Sequence, residues 1–203
     1  MLLRLASCLT LVVVSLVGLS AQRREPMTQN AVRALAKEAE AEGRGDKNEI
    51  VIALDKRVRA RWGDFESFPV TIVRREDLSI VLSTPFMTYR RTLAEYLRME
   101  DSLARIPWIP FAVVTVGPIH LGAPDITRVV LERGGAPVAA AENLLKPMSF
   151  TNGSGDTAVM HAGEVRFPMS AFAPGAPVTI SAIPKSGERF TLSLDDSQLA
   201  TLK

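Results

Sequence analysis

The side chains best able to move a proton near neutral pH are the two histidines, His120 in Ile119-His120-Leu121 and His161 in Met160-His161-Ala162-Gly163-Glu164. His161 with Glu164, or His120 with Asp125, would supply two metal ligands. A catalytic zinc takes three and keeps a fourth position open, and the chain has neither HExxH nor CxxC. Ser154, between Gly153 and Gly155 with Asp156 and His161 nearby, offers the residue types of a hydrolytic triad. The setting is wrong for one. A nucleophile elbow turns from strand to helix, whereas Asn152-Gly153-Ser154-Gly155-Asp156 has the composition of a hairpin tip. Asp156, Asp195 and Asp196 carry oxygens suited to calcium but lack a DxDxDG-type spacing. Glu95, Glu100 and Asp101 read as carboxylates on an exposed helical face. These patterns assign no catalytic, cofactor-binding or metal-binding residue.

Three further patterns could recognise a partner. Arg57, Arg59 and Arg61, with Arg74-Arg75 and Arg90-Arg91, could face an anionic polymer or lipid headgroups, or pair with Asp55, Asp64 and Glu66 as an ordinary solvated face. Arg44-Gly45-Asp46 spells an adhesion tripeptide directly after a helix-stopping Gly43. Asn152-Gly153-Ser154 has the form of a glycosylation acceptor, which matters only on a eukaryotic export route.

The elements that would hold these residues fall into two parts. Residues 22–110 carry 16 Lys and Arg with 14 Asp and Glu, against 7 and 8 in residues 111–203, and nine of thirteen prolines lie from Pro110 onward. The shift divides the chain near Pro107-Trp108-Ile109-Pro110 into a charge-rich α+β region and a β-rich one. In the first, Thr28 caps a helix through Val32, Leu35, Ala36 and Ala39 that stops at Gly43. Lys56 to Trp62 alternates arginine with Val58, Ala60 and Trp62 and reads as a half-buried strand. Glu49 to Leu54 is ambiguous. Asp46 and Glu49 form a capping box, but Ile50-Val51-Ile52 favours a strand, and the strand is the preferred reading. Phe68-Val70-Ile72 and Leu78-Ile80-Leu82 form a hairpin through Arg74-Arg75-Glu76-Asp77. Thr84-Pro85 then opens a helix with Phe86, Tyr89, Leu93, Tyr96 and Leu97 on one face, ending before Pro107.

The second part reads as short strands: Phe111 to Val116, Ile126 to Leu131, Pro137 to Ala139, Met148 to Thr151, Ala158 to His161, Val165 to Phe167, Val178 to Ile183 and Phe190 to Leu194. Gly134-Gly135, Asn152-Gly153, Pro174-Gly175 and Ser186-Gly187 punctuate them. Regular short strands with turn signals predict an antiparallel sandwich or barrel. Phe172-Ala173-Pro174-Gly175 ahead of Val178-Thr179-Ile180, with a returning Phe190-Thr191-Leu192, resembles an immunoglobulin-like sandwich, an analogy of fold alone.

The opening of the chain bears on compartment. Met1 to Ala21 has one charge, Arg4, then an apolar run from Leu9, and turns charged at Gln22-Arg23-Arg24-Glu25, which is the plan of a secretory signal peptide. The 13 residues from Leu9 to Ala21 fall short of a bilayer-spanning helix, so cleavage after Ser20 or Ala21 is expected. Leu5-Ala6-Ser7-Cys8 resembles a lipobox but precedes the apolar run it should follow. Cleavage removes Cys8, the only cysteine, so the mature chain can form no disulfide and needs a packed core. Without Arg4, 23 Lys and Arg stand against 22 Asp and Glu, which argues against a nucleic-acid binder.

The expectation is therefore an exported α+β protein, mainly antiparallel β, of three segments: signal peptide 1–21, charge-rich region 22–110, and β-sandwich 111–203. It is expected in the periplasm or outside the cell, without a stable membrane span after cleavage and without a cofactor. The function expected is a non-enzymatic envelope or secreted module that binds a protein through sheet edges or loops. Two alternatives are a small exported hydrolase with a site assembled from distant residues, and a carrier with an apolar cavity under Phe86, Leu93 and Leu97.

Overall fold

The structure, a computed structural model, describes residues 26–43, 46–66, 68–98 and 106–202. The expected signal peptide, its cleavage sites, Cys8, Arg44-Gly45 and Glu100-Asp101 lie outside the described residues. The fold is α+β with mostly antiparallel sheets, and among the described residues no helix is long and apolar enough to cross a membrane.

Helix α1, Gln29–Glu42, starts where Thr28 Oγ1 accepts from the Ala31 amide and stops at Gly43, and its stripe Val32, Leu35, Ala36 and Ala39 is buried. Helix α2 spans Lys47–Trp62, so the strand expected over residues 49–54 and again over 56–62 is corrected to one helix. Asp46 accepts from the Asn48 and Glu49 amides, and Ile50, Leu54, Val58 and Trp62 recur every fourth residue on the buried face. The apparent alternation of Val58 with Trp62 is one step of that stripe, with exposed Ala60 between them. Ile50, Val51 and Ile52 cost only a few tenths of a kcal/mol each in helix propensity, about what one buried methylene returns.

Strands β1 (Val70–Arg74) and β2 (Leu78–Ser83) form the expected hairpin, bulged between Thr71 and Val73. Phe68 does not join it. The strand begins after Pro69, and the Phe68 ring is 64% exposed under the Arg90 guanidinium, 5.0 Å from its centroid. Helix α3, Pro85–Arg98, is held by Thr84, whose Oγ1 accepts from the Met87 amide at 3.3 Å. It buries Phe86, Tyr89, Leu93 and Leu97 against α1 and α2, while Met87 enters the core of the sheets.

The remaining strands are β3 (Phe111–Pro118), β4 (Ile126–Arg133), β5 (Ala136–Val138), β6 (Glu142–Asn143), β7 (Lys146–Thr151), β8 (Thr157–Pro168), β9 (Val178–Pro184) and β10 (Phe190–Leu194), followed by helix α4 (Asp196–Thr201). One sheet runs β1-β2-β3-β8-β6 with β7 on β8, and the other β10-β9-β4-β5. The first sheet crosses the proline-rich stretch before Phe111, since β2 pairs with β3 from Leu78↔Pro118 to Ser83↔Val113. Alternate residues of both sheets, among them Ile80, Val114, Phe167, Ile126, Leu131 and Ile180, meet in one apolar cluster. Gly134 and Gly135, at φ +56° and +80°, close the tight turn from β4 to β5 as their types demand.

Two expected strands, Ala158 to His161 and Val165 to Phe167, are a single twelve-residue β8. Ala162-Gly163-Glu164 has the composition of a turn, yet it is a kink within the strand. Gly163 sits at φ +133° opposite Leu144, where β6 gives way to β7. Beyond that kink β3 no longer pairs with β8, so β7 and the first half of β8 continue as a two-stranded ribbon.

Candidate functional site

The ribbon is fixed at both ends by side-chain chemistry. At its tip Asn152 Oδ1 accepts from the Ser154 amide (3.0 Å) and the Asp156 amide (2.9 Å), and Asn152 Nδ2 donates to Asp156 Oδ2 at 2.9 Å. Ser154 and Asp156 thus belong to a hairpin turn, as their composition indicates. At its base the Asp125 carboxylate, from the β3–β4 loop, accepts from the His161 amide at 2.7 Å and lies 2.9 Å from His161 Nδ1.

Burial pushes the Asp125 carboxyl up, but hydrogen bonds from the His161 amide and ring, helped by the His161 and Lys185 charges, outweigh it and hold the group below the ordinary aspartate value. Asp125→Ala is expected to cost about 1–3 kcal/mol at neutral pH, the range for deleting a hydrogen-bonded charged group. A carboxyl with a lowered pKa stabilises fully above its unfolded value near 3.9 and loses that contribution as pH falls through the folded value. Urea unfolding should show the full gap between wild type and variant above about pH 5, narrowing below about pH 4. A gap that grew on acidification would exclude this latch.

The His161–Asp125 tie decides which backbone groups the ribbon presents. The His161 amide is spent on Asp125, away from β7, and its partner Pro147 has no amide, so Pro147↔His161 is a pair without hydrogen bonds. By alternation, Ser149 and Thr151 of β7 turn their amides outward, and no strand covers that edge among the described residues. One face of the ribbon places Phe150 and Met160 toward the core. The other carries Val159, 63% exposed, beside Ser149.

Under the core-facing side lies a cleft of about 270 Å³, lined by Phe150, Met160, Leu121, His120 and Ile119. The Ile119 and His120 amides both reach the Asp77 carbonyl, at 2.7 and 3.3 Å, which anchors that wall to the β1–β2 turn. Ile119 is 53% exposed and separates this cleft from a second groove, of about 550 Å³, on the outer face of the β1–β2 hairpin.

Of His120, Asp156, His161 and Glu164, the residues from which a dispersed hydrolase site could be assembled, only His120 lines either cleft. His161 is tied to Asp125, Asp156 to Asn152, and Glu164 to Arg166, 3.0 Å from its guanidinium. Asp195 caps α4, accepting from the Gln198 amide and the Ser197 hydroxyl, which lowers its pKa in that order. Asp196 accepts from the Gly175 amide at 2.9 Å. No group of three or more His, Cys, Asp or Glu is placed to hold a metal ion among the described residues. Phe86, Leu93 and Leu97, under which the carrier alternative places an apolar cavity, are packed in the helical cluster and line neither of these clefts nor the one beside Gly43 and Ile52.

The arginines follow from α2 being a helix. Arg57 bridges Glu38 and Glu42 of α1, Arg59 pairs with Asp64 at 3.4 Å, and Arg61 stacks over the Trp62 ring. Arg90 holds Asp55 at 2.9 Å through Nε. The ladder is not one face. The exposed apolar residues Phe68, Ile119, Met148 and Val159 carry no signal in the sequence, because each lies in or beside a strand-like pattern that hides its outward direction.

No protein-family model matches the chain, and no curated protein matches it. Among solved structures it is similar to a crystal structure of a novel protein of unknown function from Burkholderia pseudomallei, at 17% identity over 88% of this chain and 97% of that one, with a TM-score of 0.37.

Proposed function

We propose that this chain is an exported, non-enzymatic module, built on an immunoglobulin-like β-sandwich, that binds another protein through the β7–β8 ribbon. The observation that carries this reading is the ribbon itself: stiffened at tip and base, open along the β7 edge, and presenting Val159 and Met148 at 63% and 43% exposure. A preorganised edge with outward amides offers main-chain hydrogen bonds to an added strand, and neighbouring apolar side chains select its sequence. Lys146 and Pro147 block the base half of the edge, so pairing is confined to Ser149–Thr151. The apolar leader followed by charged residues supports export to the periplasm or beyond, and the near-neutral charge disfavours nucleic acid as the partner.

One preparation from the native host tests both parts. The purified protein is expected to begin at Ala21 or Gln22 and to retain a specific protein partner after crosslinking and stringent washing. Val159→Lys should weaken that retention at least about tenfold, since a charge placed in an apolar contact costs several kcal/mol. Its melting temperature should hardly move, as befits an exposed position. Unchanged retention would remove the ribbon from the interface, and an unprocessed Met1 terminus on cytosolic material would remove export.

A further inference from the structure

The groove on the other side of Ile119 has a polarity of its own. Its floor is the outer face of the β1–β2 hairpin, where Thr71, Ser79 and Val81 point away from the core. Phe68 and Pro69 stand at one end, before β1 begins. Arg74 and Arg75 stand at the other, where β1 turns into β2 beside Ile119. The four-residue step from Val70 to Arg74 spans about 13 Å at the rise of a strand. The two acids of the same turn, Glu76 and Asp77, do not line the groove. Asp77 engages Arg75 at 3.0 Å, whereas Arg74 is exposed and forms no ion pair among the described residues.

With the chain read as a protein-binding module, as proposed above, we infer that this groove binds an extended acidic peptide segment of a partner, with an apolar residue at Phe68 and carboxylates three to four residues further on at Arg74. Charge complementarity selects the carboxylates: a guanidinium with no acid of its own beside an apolar wall forms its strongest bond with a carboxylate in a partly dehydrated setting. Arg90, over the Phe68 ring, is already paired with Asp55, so the separation of Phe68 from the acid-free Arg74 matches a peptide of about four to five residues at 3.3 Å per residue. The floor hydroxyls of Thr71 and Ser79 can meet its backbone. A flat bilayer would leave a concave groove of this volume unfilled, which sets a lipid surface below a peptide as occupant.

The test uses protein purified from the native host and fluorescein-labelled acetyl-Leu-Ser-Thr-Asp-Asp-amide, with Asn-Asn and Lys-Lys counterparts as controls, read by fluorescence anisotropy. The acidic peptide is expected to bind with a dissociation constant of about 10–100 µM and at least about tenfold more tightly than either control. Arg74→Glu should abolish that preference and favour the Lys-Lys peptide. Phe68→Ser should weaken the acidic peptide about tenfold while Val159→Lys leaves it unchanged. Equal binding of all three peptides, or indifference to Arg74→Glu, overturns the assignment. So does Arg74-dependent binding to phosphatidylglycerol vesicles without peptide binding. If partner retention falls with Val159→Lys but peptide binding never appears, the groove is excluded and the ribbon reading survives. If the peptide binds as expected and retention ignores Val159→Lys, the groove stands and the ribbon reading fails.

Discussion

Gly163→Ala is expected to destabilise the protein by about 3 kcal/mol and to free the β7–β8 ribbon from the sheet. At φ +133° a side chain is strained whatever its surroundings, and here there is no room for one: an added Cβ would lie 2.4 Å from the Leu144 carbonyl oxygen and 3.2 Å from its carbon. Both are backbone atoms, so nothing can swing aside. Relief requires β8 to flatten or the Leu144-Leu145 segment to move out, which breaks the 2.8 Å bond from the Leu144 amide to the Glu164 carbonyl. The ribbon then keeps its tip but loses its angle to the sheet. Urea denaturation reads the loss of stability, and hydrogen exchange should show lost protection at the Met148 and Phe150 amides, which face β8, with the β3–β8 ladder unchanged. A cost under about 1 kcal/mol with unaltered exchange would show that the kink does not depend on glycine.

The second large effect is expected at the junction of helices and sheets. Phe86 is fully buried and meets the Phe65 ring edge to face, centroids 4.8 Å apart at 87°. Phe86→Ala removes a ring from a packed cluster and leaves a cavity, at a cost of about 3–5 kcal/mol and roughly 10 °C in melting temperature for a chain of this size. Its neighbour Met87 lies in the other cluster, so one turn of α3 belongs to both cores. The variant should therefore still melt in a single transition by calorimetry, because loosening α3 loosens both clusters. Two separated transitions would show the helical layer folding independently of the sheets, and α3 would lose its role as the link.

The candidate surface is less legible in the sequence than the elements that carry it. His120 and Asp125 are polar groups near one another along the chain, but Asp125 takes His161, 36 residues away, as its partner. Nothing in the local spacing of either residue specifies that choice. Phe68 and Ile119 resemble interior residues by type, and the side each turns to depends on where the neighbouring strand begins or ends. The Arg74 end of the groove is cationic only because Asp77 pairs with Arg75 and Glu76 does not line the groove, a division that four adjacent charged residues do not announce.

What the chain determined by itself is local. Thr28 and Thr84 cap their helices within three residues, the apolar stripe of α1 buries itself in full, and Gly134-Gly135 closes its turn through backbone freedom alone. Each depends on atoms a few bonds or one helical turn apart, so composition and period suffice. Tertiary packing decided the rest: α2 as one helix against α1, β2 beside β3, and β8 as one strand kinked at Gly163. For α2 the helix and strand signals over Ile50-Val51-Ile52 differ by only a few tenths of a kcal/mol per residue, whereas a single buried side chain such as Leu54 or Ile80 is worth about 2 kcal/mol. That burial needs partners distant along the chain, which local spacing does not specify.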